Sequence, residues 1–548
     1  MNFLTTLPIF LIRARHIVCV LMMLQVLPVL AQSNAAPAAP PAAAPETKKE
    51  NVPTFNLFEF EIDGNTVLDP SIIEKTVDPF LGGGKTFEDV EAARVALEKA
   101  YRDAGFGTVL VDIPPQKVKD GVVRLQVTEG GVSKLSILGA KYYSQEKIIE
   151  KVPGLAPGQV PNFTEVQKQL GTVNRSQDRI VTPIFRPGKK EGTTEVDLAV
   201  QDQLPVHGSV ELNNRYTAHT THPRLTGSLR YDNLFQREHS LSLTYQMSPN
   251  RLDDMKVWVA SYAIPMEDQY LVMSAIKSNS TSPTGITGSN VFGKGNIFSV
   301  RDIIQIDQDI DLKMSQSLTL GVDYKDLDEA LFFGSTDPTL TPVRYLPITL
   351  DYQGIKDDAN GRWQWGGGFT SAFGRFFSED SQFDDKRFKG RSSFFAFRFN
   401  FSRLEKLSKD YALFAKVDGQ LSGQPLIASE LFMVGGAESV RGYLESSAGG
   451  DSGVHGTLEL RSPNLLTGNH PWLKSVSWQA FIDAASVKIN DPLPQQSGSH
   501  QLWSAGVGLR LNAQKQFSLS LDLARPMRDT VNTKAGDVFL HARGLFEF

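Results

Sequence analysis

The sequence predicts a transmembrane antiparallel β-barrel of 16 strands preceded by two small α+β domains, and three observations carry that prediction. Beyond residue 205 apolar and polar residues alternate with period two. Before it, one order of strands and helices occurs twice. Beyond the first thirty residues no uninterrupted apolar run comes near the roughly 20 residues a spanning helix needs. A membrane crossing by this chain must therefore close its backbone hydrogen bonds in a barrel.

The chain has 548 residues, and 56 Lys+Arg against 61 Asp+Glu give a net charge of −5. That balance lacks the basic field of a nucleic-acid binder. With 41% hydrophobic and 21% charged residues the chain is neither wholly disordered nor a polytopic helical membrane protein. Arg13, Arg15 and His16 precede the apolar run 17–30, and Val29-Leu30-Ala31 before Gln32 has a small-residue cleavage pattern. Residues 1–31 are read as a secretory signal, with an N-terminal anchor as the alternative. The single cysteine, Cys19, lies within this run, which excludes disulfide scaffolds, thiolate metal sites and cysteine nucleophiles from the processed chain. A cysteine-free exported chain points to a bacterial envelope. Residues 32–52, rich in Ala and Pro, read as an extended linker.

The first domain is placed at 53–131. Phe58, Phe60 and Ile62 alternate as a strand, Asp69-Pro70 starts a short helix, and Thr86 with Asp89 caps a second helix bearing Val90, Ala93, Leu97 and Tyr101 on one face. Strands are expected at 106–112 and 122–127. The second domain, 132–204, repeats the order: Ile72-Ile73-Glu74-Lys75 recurs as Ile148-Ile149-Glu150-Lys151, and Phe87-x-x-Val90 recurs as Phe163-x-x-Val166, both at an offset of 76 residues. Two matches at one offset argue for duplication. Short sheets of this kind keep an edge able to accept an extended strand.

Residues 205–548 are assigned to the barrel. Val206, Gly208, Val210 and Leu212 alternate with His207, Ser209 and Glu211, and similar sets run through Leu241 to Tyr245, Leu318 to Tyr324, Phe395 to Phe401 and Phe517 to Leu523. A soluble sandwich also alternates, but the number of segments, their aromatic residues and the long polar intervals 278–296 and 334–345 favour a membrane barrel. The 344 residues spread over 16 strands leave 21.5 for each strand and its connection; 14 and 18 strands also fit. The C-terminus sets Val538, Leu540, Ala542, Gly544, Phe546 and Phe548 against Phe539, His541, Arg543, Leu545 and Glu547. This closing strand is similar to that of bacterial outer-membrane barrels, which implies a folding signal at Phe546 and Phe548.

Ser429-Glu430-Leu431-Phe432-Met433-Val434-Gly435-Gly436, Ser439-Val440-Arg441-Gly442-Tyr443 and Gly450-Asp451 follow in the barrel region. The string resembles the loop signature of two-partner secretion transporters (the TpsB class, haemolysin secretion/activation type) of the POTRA-plus-barrel superfamily. The resemblance implies that a loop around 429–453 folds into the lumen, with Gly435, Gly436, Val440, Arg441, Gly442 and Tyr443 as its motif and Arg441 meeting an aspartate of the wall. Phe481-x-Asp483 matches the wall pattern, although Ala485 stands where the family usually has Gly. Many members place a plug helix ahead of the first repeat, and the prolines of 32–52 argue against one here.

The resemblance implies an outer-membrane pore, with its POTRA domains in the periplasm, that recognises and translocates a large unfolded exoprotein of adhesin or haemolysin type to the cell surface. The implied partners are that client, outer-membrane lipid and, during biogenesis, the barrel assembly machinery; no enzyme activity, cofactor, metal, nucleotide or nucleic acid is implied. A barrel assembly factor of the same superfamily and a passive porin are the alternatives. Two chemical motifs are set aside. Gly82-Gly83-Gly84-Lys85-Thr86 lacks the first glycine of a phosphate loop, since Pro79 occupies that place, and it reads as a turn between helices. Gly450-Asp451-Ser452-Gly453 imitates a serine-nucleophile segment without an identifiable base. The nine histidines show no metal-ligand spacing.

Overall fold

The structure, a computed structural model, describes residues 53–548 apart from 219, 285–290, 310–312, 332–338, 375–377, 469 and 515. The signal and linker assigned to 1–31 and 32–52 lie outside the described residues. The first unit contains β1 (Phe55–Leu57), β2 (Glu59–Asp63), α1 (Pro70–Val77), β3 (Gly82–Lys85), α2 (Phe87–Asp103), β4 (Leu110–Asp112) and β5 (Val122–Thr128). Asp69 caps α1 by accepting from the Ser71 N–H at 2.8 Å. At α2, Thr86 and Asp89 close a reciprocal capping box, a feature whose loss costs about 1 kcal/mol. Helix α2 buries Val90, Ala93, Leu97 and Tyr101 against the sheet β2-β5-β4.

The second unit repeats this design with β6 (Gly131–Leu138), α3 (Gln145–Glu150), α4 (Phe163–Val173), β7 (Arg179–Pro187) and β8 (Thr193–Asp202). In both sheets the last strand is central, pairing parallel to the first (β2 with β5, β6 with β8) and antiparallel to the other (β4 with β5, β7 with β8). Two sequence expectations change. Gly82-Gly83-Gly84-Lys85 is strand β3, paired with β1 through Phe55↔Lys85 and Leu57↔Gly82, rather than a turn. Of the strand expected at 106–112 only Leu110–Asp112 forms, because the chain first reverses at the end of α2, where the Phe106 N–H donates to the Tyr101 carbonyl at 2.8 Å.

The second unit is clasped to the first turn of the barrel. Glu238 in that turn pairs with Lys151 at 2.5 Å and Arg179 at 2.7 Å, and Gln236 accepts from the Ser144 N–H at 2.9 Å. Burial alone would raise the Glu238 carboxyl, but the Lys151 hydrogen bond and the charge of Arg179 hold it below its usual range. A depressed pKa means that the clasp is intact at neutral pH and is lost as pH falls through the lowered value. Glu238→Gln is expected to broaden the distance distribution between spin labels on α4 and on the barrel rim; an unchanged distribution would locate the rigidity of the joint elsewhere. Beside the clasp, His207 Nε2 lies 2.9 Å from Asp178 and 3.4 Å from Asp232. Both carboxylates are also satisfied by neighbours, Asp178 by Gln203 and Asp232 by Ser240 and Arg230.

Barrel strand β9 (Val206–Asn213) follows, and the described residues form 16 antiparallel strands in one closed ring. Thr339–Tyr345 and Pro347–Asp358 both pair with Met314–Leu331 and are one strand interrupted at Leu346. Closure runs between the ends of the barrel: Phe546 lies opposite Val210, and Phe548 and Gly208 exchange backbone hydrogen bonds of 2.9 Å in both directions. Period two sorts the faces. On Phe394–Lys406, Phe395 and Phe401 point outward, while Phe394 and Ala396 are buried inside. Leu241, Leu243, Leu320, Val322 and Leu523 continue the outer apolar belt, as a lipid-facing wall requires.

Within the intervals 278–296 and 334–345 the described residues are less loop-like than their composition suggests. Gln269–Thr284 has 16 residues and Val291–Asp309 has 19, beyond the roughly 9–11 that cross a bilayer. Outside the hydrocarbon a strand has no need of an apolar face, so Ser, Thr and Asn there continue the backbone ladder.

Candidate functional site: the loop inside the barrel

Between the strands Ala412–Leu421 and Ser452–Arg461 the chain turns into the lumen. It makes a short 3-10 turn, Ala428–Glu430, and a hairpin pairing Phe432–Val434 with Ala448–Gly450. The tip, 435–447, lies between the two hairpin strands. Gly442 shows why the motif needs glycine: its φ is +91°, and a Cβ there would sit 3.2 Å from both Ala524 and Pro526 of the wall. Gly435 and Gly436 also have positive φ.

At the tip the Arg441 guanidinium meets Asp483 with two bonds of 2.7 Å, from Nε to Oδ2 and from Nη2 to Oδ1. The Arg441 backbone N–H adds a third to Oδ2 at 3.1 Å. This fork is the strong, directional form of ion pair. Nη1 reaches Glu459 at 2.8 Å, Nη2 donates to Thr457 at 3.1 Å, and the guanidinium carbon stacks 3.4 Å above the Phe481 ring. Arg441 is 5% exposed and Asp483 is fully buried. The next residues fix the tip further. The Gly442 N–H donates to His541 Nε2 at 2.9 Å, and the buried Tyr443 hydroxyl lies 3.0 Å from the Arg528 carbonyl. Val440 and Tyr443 pack with Val434, Ala485, Val487 and Leu502. Ala485, where the family pattern has glycine, thus contributes its methyl to the contact beneath the tip.

Phe481 and Asp483 lie on one inner face of the strand Leu473–Lys488, with Gln479 and Ala485. Phe546 and Phe548 are exposed on the outside of the closing seam, their rings 6.1 Å apart. Sequence reasoning misses Thr457, Glu459 and His541: Thr457 lies opposite Asp483 and Glu459 opposite Phe481 on the neighbouring strand, and His541 reaches the tip from the last strand. It quoted Glu430 and Asp451 without a role. Glu430 is 1% exposed and bonded to Lys325, Tyr345 and Arg398. Asp451 accepts from the N–H groups of Leu426 and Asn490, both at 2.6 Å. In the Gly450–Gly453 segment the Ser452 hydroxyl donates to the Ser422 carbonyl at 3.0 Å, so this serine is a structural link.

The chain matches the family model described as haemolysin secretion/activation protein ShlB/FhaC/HecB over residues 192–511, more than half its length, and the model described as POTRA domain, ShlB-type, over 55–130. It is 22% identical over 473 residues to the outer membrane transporter CdiB of Dickeya dadantii (strain 3937), covering 83% of this chain and 80% of that protein. To the heme/hemopexin transporter protein HuxB of Haemophilus influenzae (strain ATCC 51907 / DSM 11121 / KW20 / Rd) it is 18% identical, with the same coverage. The solved structure of CdiB from Escherichia coli superposes with a TM-score of 0.64 at 19% identity, covering 92% of this chain and 93% of that one. A POTRA unit, a closed 16-strand barrel and a match over most of the barrel place this chain in the haemolysin secretion/activation protein family ShlB/FhaC/HecB.

Proposed function

We propose that this outer-membrane two-partner secretion transporter works by capturing its exoprotein client on the periplasmic units and passing it through a lumen gated by the 429–453 loop. The observation that carries the gate is the forked Arg441–Asp483 pair inside the barrel. A guanidinium held on a wall carboxylate keeps a flexible loop in the pore at rest, yet a wet lumen lets the pair be replaced by water when a client enters. No nucleotide is required, because a chain that crosses extended and folds outside does not easily return.

The sheet edges support capture on the first unit. In the second unit the side chain of Asn174 already occupies Val181 N–H and C=O on the outer side of β7, and Pro183 offers no donor there. The outer side of β6 is bonded at Val132 by residues 158 and 159. Strand β4 is three residues long, and Arg94 takes the Val111 carbonyl. The five-residue β2 has no such cover at Phe60 and Ile62 among the described residues, and an extended client segment added there gains sequence-indifferent backbone bonds. Residues 53–203 alone are expected to retain an unfolded N-terminal client fragment in a pulldown. Failure to bind would move recognition to the barrel.

Further roles are assigned on the same reading. Phe546 and Phe548 serve as the signal read by the barrel assembly machinery, and the outer belt is the lipid contact. Residues 1–31 are removed on export, which N-terminal sequencing of the outer-membrane protein tests: a start near Gln32 is expected.

A further inference from the structure

We infer that Glu430, tied to Lys325 and Arg398, is a second latch that holds the root of the loop in the lumen, so that freeing the Arg441 tip by itself opens the pore only in part. The inference rests on the reading that this loop occludes the lumen, and it adds a positioning residue to that device.

The two ties lie on different arcs of the wall. Asp483 and Thr457 belong to the thirteenth and twelfth strands of the ring, whereas Lys325, Tyr345 and Arg398 belong to the seventh, eighth and tenth. The hairpin 432–434 with 448–450 runs between them, so the loop is strung across the lumen rather than hung from one point. Lumenal space remains on either side: about 1070 Å³ bordered by Glu430, Lys325 and Arg398, and about 570 Å³ bordered by Arg441 and Glu459.

The root tie is built for retention. Glu430 Oε1 accepts from Lys325 Nζ at 2.6 Å and from the Tyr345 hydroxyl at 2.8 Å, and Oε2 lies 3.3 Å from Arg398 Nη2. Gln420 Nε2 holds the Glu430 carbonyl at 2.9 Å. Around it Leu426 and Ile427 of the loop pack with Tyr345, Phe383, Phe394 and Ala396 in one buried apolar cluster. The carboxylate is 1% exposed, and although Arg398 borders the lumen at 46%, the carboxylate's bonds to Lys325 and Tyr345 lie on the dry side, where water does not replace them in place. The loop root must leave as a unit, abandoning Lys325 and Arg398 together. Two cations on separate strands converging on one loop carboxylate is more than a turn of three residues needs in order to fold.

The test compares Glu430→Gln, Arg441→Ala and the double variant of the full-length protein in planar bilayers, with heat-modifiable migration checking that the barrel is folded. Glu430→Gln is expected to raise the open-to-closed ratio about tenfold, equivalent to about 1.4 kcal/mol, and the double variant to open more than Arg441→Ala. Glu430→Gln combined with Lys325→Gln is expected to open no further than Glu430→Gln alone, which supports the pairing; purely additive opening overturns it. Wild-type gating in Glu430→Gln beside altered gating in Arg441→Ala overturns the root latch and leaves the tip reading standing, whereas wild-type gating in both removes both. If the Glu430 variant does not fold, Lys325→Gln and Arg398→Gln replace it, and wild-type gating in these two also overturns the proposal.

Discussion

Deleting residues 55–130 is expected to reduce client export to background while the barrel still assembles in the outer membrane. The first unit has its own core, built around Leu57, Val90, Leu97, Tyr101 and Leu125, so its removal exposes no barrel interior. Its hydrogen bonds to the rest of the chain run to the second unit, from Asn162 Nδ2 to the Ala104 carbonyl at 2.9 Å and from the Phe163 N–H to the Gly105 carbonyl at 2.7 Å. The clasp on Glu238 and the closing seam at Phe548 stay intact in the truncated chain. What is lost is the uncovered edge of β2. Heat-modifiable migration of the truncated protein reports barrel folding, and client in the medium reports export. Export at the normal rate would place recognition on the second unit or the rim, and a barrel that no longer folds would show that the first unit also serves assembly.

Much of this architecture is legible in the sequence because its physics is local. Alternation along Phe395 to Phe401 reports which side chains meet lipid, and the resemblance of the terminal set ending at Phe548 to outer-membrane closing strands implies its place at the seam. Helix caps such as Thr86 with Asp89 are read within four residues. The failures are non-local or lack side chains. Gly82-Gly83-Gly84 has no periodicity to read, and its pairing with Leu57 is decided 25 residues away. Thr457, Glu459 and His541 sit at inward positions like many others until strand pairing sets Thr457 opposite Asp483 and Glu459 opposite Phe481 and the loop folds in over them. The wall residue Asp483 was found only through its resemblance to a family pattern, since a lumenal aspartate on an alternating strand is otherwise unremarked. Long polar hairpins failed for another reason: beyond the membrane, strand residues are selected for water and lose the apolar half of their signal.

Arg441→Ala is expected to impair export strongly and to destabilise the closed pore, and Asp483→Ala to do so less. The asymmetry follows from which charge each deletion leaves without an ionic partner. Removing the guanidinium leaves the fully buried Asp483 without its cation, while Glu459 keeps Arg461 at 2.6 Å; removing Asp483 leaves Arg441 its contact with Glu459 at 2.8 Å and its stack on Phe481. Breaking a buried pair costs about 3 to 5 kcal/mol because a bare charge is left behind, and a wet lumen screens part of that, so the lower end applies. Arg441→Lys retains the charge and loses the fork, and belongs between wild type and Arg441→Ala. The double variant Arg441→Ala with Asp483→Ala is expected to be no worse than Arg441→Ala, since it removes the stranded acid. Client export rates and single-channel conductance of the four proteins form a double-mutant cycle in which the coupling is read directly. Defects that simply add would mean that Arg441 and Asp483 act separately, and the loop would then be held in the lumen by its root and by the packing of Val440 and Tyr443.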